Sequence, residues 1–211
     1  GFGLWTDSMQ QYRTNKVVNL VIILLVVLGG IGWRVTNDLW TNRKRLHSRN
    51  LSLHTRLVIR TSLILIILGT TGLIITESLG NGEFFRGLNW TDRILSALFE
   101  SISSRTAGFT SFPLSINTIS DSGLLLLMAL MFIGASPGGT GGGIKTTTLA
   151  ALMAATRSTL RGQNDVVIRN RQISDKVVLK AVGITVGSLL FVLVMALLLG
   201  ISSNIGGEKP F

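Results

Sequence analysis

From Phe132 to Thr148 the chain reads FIGASPGGTGGGIKTTT, six glycines and one proline set between the helix-forming runs GLLLLMALMF and LAALMAA. Without that insertion, the stretch would read as one apolar helix. Glycine and proline in a helix interior cost about 1 and about 3 kcal/mol relative to alanine, so residues 118–156 are expected as two half-helices with a loop between them. The loop comprises Gly134, Ala135, Ser136, Pro137, Gly138, Gly139, Thr140, Gly141, Gly142 and Gly143, with Lys145 at its end. Irregular backbone is tolerated at membrane depth only where it is buried in protein or lines a cavity.

Composition supports a membrane setting, because 46% of the residues are hydrophobic and 14% charged, a profile unusual for a soluble domain of this size. The net charge of +10 does not point to nucleic acid. Its basic residues cluster in two connecting segments and form no stripe with interleaved aromatics. With no cysteine, neither disulfides nor thiolate metal sites are available, and His47 and His54 both sit in a basic, solvated stretch. The opening GFGLW has neither an initiator Met nor the regions of a signal peptide, and reads as the interior of a longer protein.

About 20 apolar residues cross a bilayer core of about 30 Å as a helix. Three stretches qualify: 17–33, 57–79 and 181–201. Arg60 lies one turn inside the second, where its long side chain can snorkel to the interface. Basic residues mark cytoplasmic connections, and they gather in 34–56 and 157–180, whereas 77–121 is acidic and mixed. Both basic connections share one side only if the broken segment crosses once. The chain is then expected to begin and end outside.

The 77–121 connection contains NWTDRILSALFESISSRTAGF, a short amphipathic helix at 91–103 followed by a Ser, Thr and Gly-rich turn. Two readings stay open: a helix lying on the membrane surface, or a re-entrant helix that turns at Arg105–Gly108 and returns as extended backbone. A helix C-terminus aimed at such a turn favours a cation. An internal repeat of about one hundred residues favours the second reading. GFGLWTDS at Gly1 and GFTSFPLS at Gly108 share Gly-Phe, an aromatic four residues after the glycine and a serine three further on. Each copy leads to an apolar helix interrupted by glycine, at Gly29-Gly30 and at Gly134.

A phosphate-binding loop is the competing reading of the glycine run, but that motif needs Lys directly after the last glycine. Here Ile144 intervenes between Gly143 and Lys145, and no strand pattern precedes it. Close packing of membrane helices also uses glycine, yet six glycines and Pro137 exceed what packing requires.

SRTAGF at Ser104–Phe109, MFIGASPGGTGGGIKTTT at Met131–Thr148 and VLGGIGWRVTNDL at Val27–Leu39 resemble the Trk/Ktr/HKT superfamily of potassium transporters, whose subunits carry four helix, pore-loop, helix repeats. The GGGIKTTT ending is similar to the Ktr branch. The resemblance covers essentially all 211 residues and implies an all-α membrane protein with re-entrant pore loops and a broken helix. Residues 1–56 would be the end of a second repeat, 57–160 a third repeat and 161–211 a connection plus the first helix of a fourth. The first repeat and the fourth pore loop would lie outside the chain.

By that resemblance Arg105, Thr106, Ala107, Gly108 and Phe109 form a selectivity filter, with Gly1 as the corresponding glycine of the second repeat. Main-chain oxygens of Thr106, Ala107 and Gly108 would replace the hydration shell of K⁺. Arg105 is expected to turn its guanidinium away from the cation path into a carboxylate or carbonyl site, with Glu100 as candidate partner. The glycine run would be a mobile intramembrane gate below the filter, and Lys145 an electrostatic barrier or anchor at its inner end. The implied activity is K⁺ uptake across the plasma membrane, passive or coupled to Na⁺, with no covalent chemistry. The implied partners are the lipid bilayer, a second copy of the subunit and a cytoplasmic ring of nucleotide-binding regulatory subunits. A non-transporting membrane scaffold is the alternative.

Overall fold

A computed structural model describes residues 3, 5–43, 51–80, 83, 85, 87–105, 107–113, 118–163, 165–168 and 171–205. Its internal contacts separate two compact units, residues 1–147 and 148–211. That division falls inside the 57–160 stretch expected as one repeat.

In the first unit, helix α1 (Lys16–Ile31) starts at Asn15, whose side chain accepts the Val17 and Val18 N–H groups, each at 3.2 Å. Asn19 is buried and donates from Nδ2 to the carbonyls of Tyr12 and Asn15, both at 2.8 Å. It thereby folds the incoming segment onto the helix end. The single helix expected over 17–33 instead stops at Gly32, where φ is +88° and the chain bends by 97° into α2 (Trp33–Thr41). A residue with a Cβ rarely adopts that φ, so the bend belongs to this glycine.

Helix α3 (Leu53–Leu79) begins four residues before the expected 57, because Ser52 caps it by accepting the Thr55 N–H at 3.2 Å. Its 27 residues reach about 40 Å, enough to cross a bilayer core. Helix α4 (Trp90–Ser103) matches the expected 91–103 to within one residue. Helix α5 (Asp121–Phe132) is capped by Ser120, which accepts the Gly123 N–H at 3.1 Å.

The second half-helix, α6 (Thr146–Leu160), follows the glycine run, so the broken helix expected over 118–156 is present as two pieces. Helix α3 is the hub of the first unit and packs against α4, α5 and α2. Gly69 permits its closest approach to α4, since a Cβ there would overlap the Ser101 side chain. The Ser101 hydroxyl donates to the Ile66 carbonyl at 3.2 Å. Two apolar clusters flank this contact. One contains Leu73, Ala97, Phe112 and Leu127, and the other Met9, Ile23, Phe99 and Ile102.

The second unit holds a short antiparallel ladder, β1 (Val167–Ile168) with β2 (Arg171–Gln172), and then α7 (Asp175–Ile205). The ladder is the one departure from an all-α architecture among the described residues. Residues 175–201 of α7 are apolar and long enough to span a membrane, and no part of the most apolar window is buried in the chain itself. Water would penalise such a surface by about 25 cal/mol per Å², whereas lipid or neighbouring helices would not.

Candidate functional site

Helix α4 does not lie on the surface of the first unit. From Ser96 to Ser103 it buries Ser96, Ala97, Phe99, Glu100, Ser101, Ile102 and Ser103, and it packs against α3 and α1. Its C-terminal end leads into the Arg105–Phe109 turn. The Ser103 carbonyl accepts the N–H groups of both Ala107 and Gly108, at 2.9 and 3.0 Å. Gly108 has φ +75°, a left-handed conformation that lets the chain reverse there. Unsatisfied carbonyls at a helix end carry about half a negative charge in total, so the turn sits in a field that favours cations.

After the turn the chain is held in place by hydrogen bonds at Phe109, Thr110 and Ser111. The Ser103 hydroxyl donates to the Phe109 carbonyl at 2.5 Å. The Thr110 N–H donates to the Ser8 hydroxyl at 3.0 Å, and the Met9 N–H to the Thr110 carbonyl at 3.0 Å. These bonds tie the segment after the turn to Ser8 and Met9, at the end of the first copy of the repeat. Gly1 and Thr106, both expected in the filter, lie outside the described residues.

Glu100 does not serve Arg105. Its Oε1 accepts both the N–H and the hydroxyl of Ser111, at 2.7 and 2.9 Å, and both residues are buried. A carboxylate in that position braces the segment after the turn against the helix that precedes it. The Arg105 guanidinium instead donates from Nη2 to the carbonyl of Gly134 at 3.3 Å, the carbonyl arrangement among those expected for it. The first residue of the glycine run is thus tied to the turn that follows α4.

The glycine run closes on itself at a neck. The Ile144 N–H donates to the Phe132 carbonyl at 3.1 Å, and the Ser136 and Thr146 hydroxyls pair at 3.0 Å with both residues fully buried. Gly134 meets the Gly142–Gly143 backbone so closely that a Cβ at Gly134 would overlap the Gly142 carbonyl. Lys145 folds back and donates from Nζ to the Gly141 carbonyl at 2.5 Å.

The same run docks on the bend between α1 and α2. The Ser136 N–H donates to the Gly30 carbonyl at 3.0 Å, and the Trp33 N–H donates to the Gly138 carbonyl at 3.3 Å. A Cβ on Gly32 would come within 2.7 Å of the Pro137 carbonyl oxygen. The two glycine-interrupted helices of the repeat therefore meet at their interruptions. Few side chains anchor the loop, as its composition implies, but main-chain bonds hold it at several points. Gly134, Ala135, Ser136 and Gly141 are buried, Pro137 and Gly139 are half-buried, and Gly138, Thr140, Gly142 and Gly143 are exposed.

Gly30, Gly32, Ser103 and Ser111 complete this site and were not singled out as site residues from sequence. The glycines had a signal, the GGIG break at Gly29–Gly32, but the serines had none, because a lone Ser bonding a distant carbonyl has no sequence pattern.

Residues 1–209 match the family described as TrkH, cation transport protein. The Ktr system potassium uptake protein B of Bacillus subtilis (strain 168) is 34% identical over 192 residues, covering 91% of this chain and 42% of that protein. The protein of the same description from Vibrio alginolyticus is 35% identical over 189 residues, covering 89% and 40%. The crystal structure of the potassium transporter TrkH from Vibrio parahaemolyticus shares the fold, with a TM-score of 0.68 at 21% identity over 95% of this chain and 42% of that one. The chain spans less than half the length of these relatives.

Proposed function

The chain belongs to the TrkH family of cation transport proteins, and from that premise we propose that it is part of the pore-forming membrane subunit of a K⁺ uptake system. The observation that carries this reading is the Arg105–Phe109 turn. A buried helix ends at it, a left-handed glycine reverses it and a braced segment leaves it. K⁺ selection requires carbonyl oxygens held in place of water. In this reading the carbonyls of Thr106, Ala107 and Gly108 supply one quarter of such a ring, with Gly1 heading the corresponding turn of the preceding repeat.

The glycine run acts as the gate beneath that turn. Its main-chain groups are held by hydrogen bonds that can be exchanged for water, which suits a segment that moves. The basic connections 34–56 and 157–180 face the cytoplasm, where a ring of nucleotide-binding subunits would contact them, and the complete subunit pairs with a second copy. Flux is passive or coupled to Na⁺.

The test is K⁺ uptake by the full-length protein in a host lacking its own uptake systems, with and without Na⁺. Expected are rescue by the parent protein and a loss of K⁺ over Na⁺ preference in Gly108→Ser, because a side chain is strained at φ +75°. Unchanged preference would remove Gly108 from the filter. Absence of rescue by the parent would leave a scaffold role.

A further inference from the structure

We propose that Arg105 is a positioning residue that latches the glycine run in its docked state, so that the filter turn and the gate move as a coupled pair. This rests on the pore reading above and assigns the gate its fastening. Arg105 lies one residue beyond the α4 cap, yet its Nη2 reaches across 29 positions of sequence to the Gly134 carbonyl at 3.3 Å. Its Nε is buried and has no hydrogen-bond partner.

Beside it lies a cavity of about 30 Å³ lined by Arg105, Ser62, Gly30 and Ala135, among others. A void of that size holds a water, provided polar groups converge on it. Here Arg105 and Ser62 are the polar side chains of a lining that is otherwise mainly apolar, with Val26, Val27, Ile31, Ile66 and Ile102.

The placement is specific to the neck of the loop. Gly134 is the residue whose backbone meets Gly142 and Gly143, and two positions further on Ser136 donates to the Gly30 carbonyl. A pull on Gly134 is therefore transmitted both to the loop closure and to its dock on α1. A guanidinium has five donors in a fixed fork and always carries its charge. It can hold a carbonyl on one arm while another arm is solvated, which lysine's single point donor does less well.

Arg105→Lys and Arg105→Met are compared with the parent in the full-length protein, made without other cysteines and carrying Ala135→Cys as a reporter. Ala135 is 2% exposed and borders the cavity, so a thiol fits there and becomes reactive when the loop leaves its dock. The readouts are maximal K⁺ uptake rate, KM for K⁺, K⁺ over Na⁺ preference, and the rate of thiol modification.

The latch predicts that Arg105→Met raises both the maximal rate and the modification rate by roughly ten- to a hundredfold, the scale of one charged hydrogen bond. KM should change by less than about twofold on the same grounds, and Arg105→Lys should fall between. In a background lacking residues 135–142, which has no reporter thiol, Arg105→Met should add nothing to the K⁺ uptake rate, because coupled sites are non-additive.

A raised KM or lost ion preference with an unchanged modification rate would overturn the latch and place Arg105 in the service of the filter itself. Unchanged values throughout would also overturn it. If Arg105→Met fails to reach the membrane, Arg105→Lys decides by the same readouts. A parent protein that takes up no K⁺ removes the pore reading, whereas an active parent with silent variants removes the latch alone.

Discussion

Replacing Gly32 with alanine strikes the dock of the glycine run from the opposite side. Gly32 has φ +88° and ψ 147°, a region that is essentially glycine-only and costs another residue about 1–3 kcal/mol. Its Cβ would also stand 2.7 Å from the Pro137 oxygen, 3.0 Å from the Gly139 nitrogen and 3.1 Å from the Gly138 carbonyl carbon. All three are main-chain atoms, which cannot swing aside like the tip of a side chain, and overpacking of this kind costs about 1–3 kcal/mol.

Undocking the loop relieves the contact term and frees the bend to relax. A destabilisation of the docked state by roughly 3 kcal/mol shifts the docked-to-undocked ratio by on the order of a hundredfold. Thiol modification of Ala135→Cys in the full-length protein measures that ratio directly. Gly183→Ala in α7 is the control, since no atom lies within 4 Å of its Cβ position. Gly32→Ala should accelerate modification by at least tenfold, within the shift just given, while the control leaves it unchanged. Equal rates in the two variants would refute the argument that Gly32 receives the loop.

Ser111→Ala removes both the hydroxyl bond to Glu100 and the match between a buried carboxylate and its donors. It should destabilise the protein by about 1–3 kcal/mol and weaken K⁺ over Na⁺ preference, as read by competitive uptake. Glu77 is buried and accepts the Ser120 N–H and hydroxyl at 3.2 and 2.6 Å, holding the cap of α5. Glu77→Ala should therefore lower thermal stability by an amount on the order of a lost cap plus an orphaned donor, about 2–3 kcal/mol. Asp38 of α2 binds the Thr55 hydroxyl at 2.5 Å and the Ser52 N–H at 3.0 Å. Chiefly through the Thr55 bond, its pKa falls below the ordinary aspartate range. Its contribution is then complete above the unfolded value of about 3.9 and is lost as pH drops through the lower folded value. Asp38→Asn should weaken the α2–α3 junction at neutral pH, and its difference from the parent should vanish in strong acid, as followed by stability against pH.

The elements of the site were readable in the chain because they rest on local physics. Apolar length placed α3 and the core of α7, helical spacing of Ile94, Leu95, Leu98 and Phe99 placed α4, and glycine and proline broke the helix between α5 and α6. The bonds between Thr110 and Ser8–Met9 bring residues about a hundred positions apart into contact, a pairing that no local pattern announced.

What sequence could not decide was which partners those elements take. A GGIG break is compatible with close helix packing, and only the fold shows a 97° bend receiving a loop more than a hundred residues away. Main-chain bonds such as Ser136 to Gly30 leave no side-chain signature, since any residue could supply the N–H. Glu100 stood close in sequence to both Arg105 and Ser111. Burial of the α4 face turned it to the segment at Ser111 and left Arg105 to the carbonyl of Gly134. Local propensity and hydrophobic length therefore determined where the helices form and where they break. Tertiary packing alone determined which carbonyl each buried donor reaches, because that choice depends on groups distant in the chain.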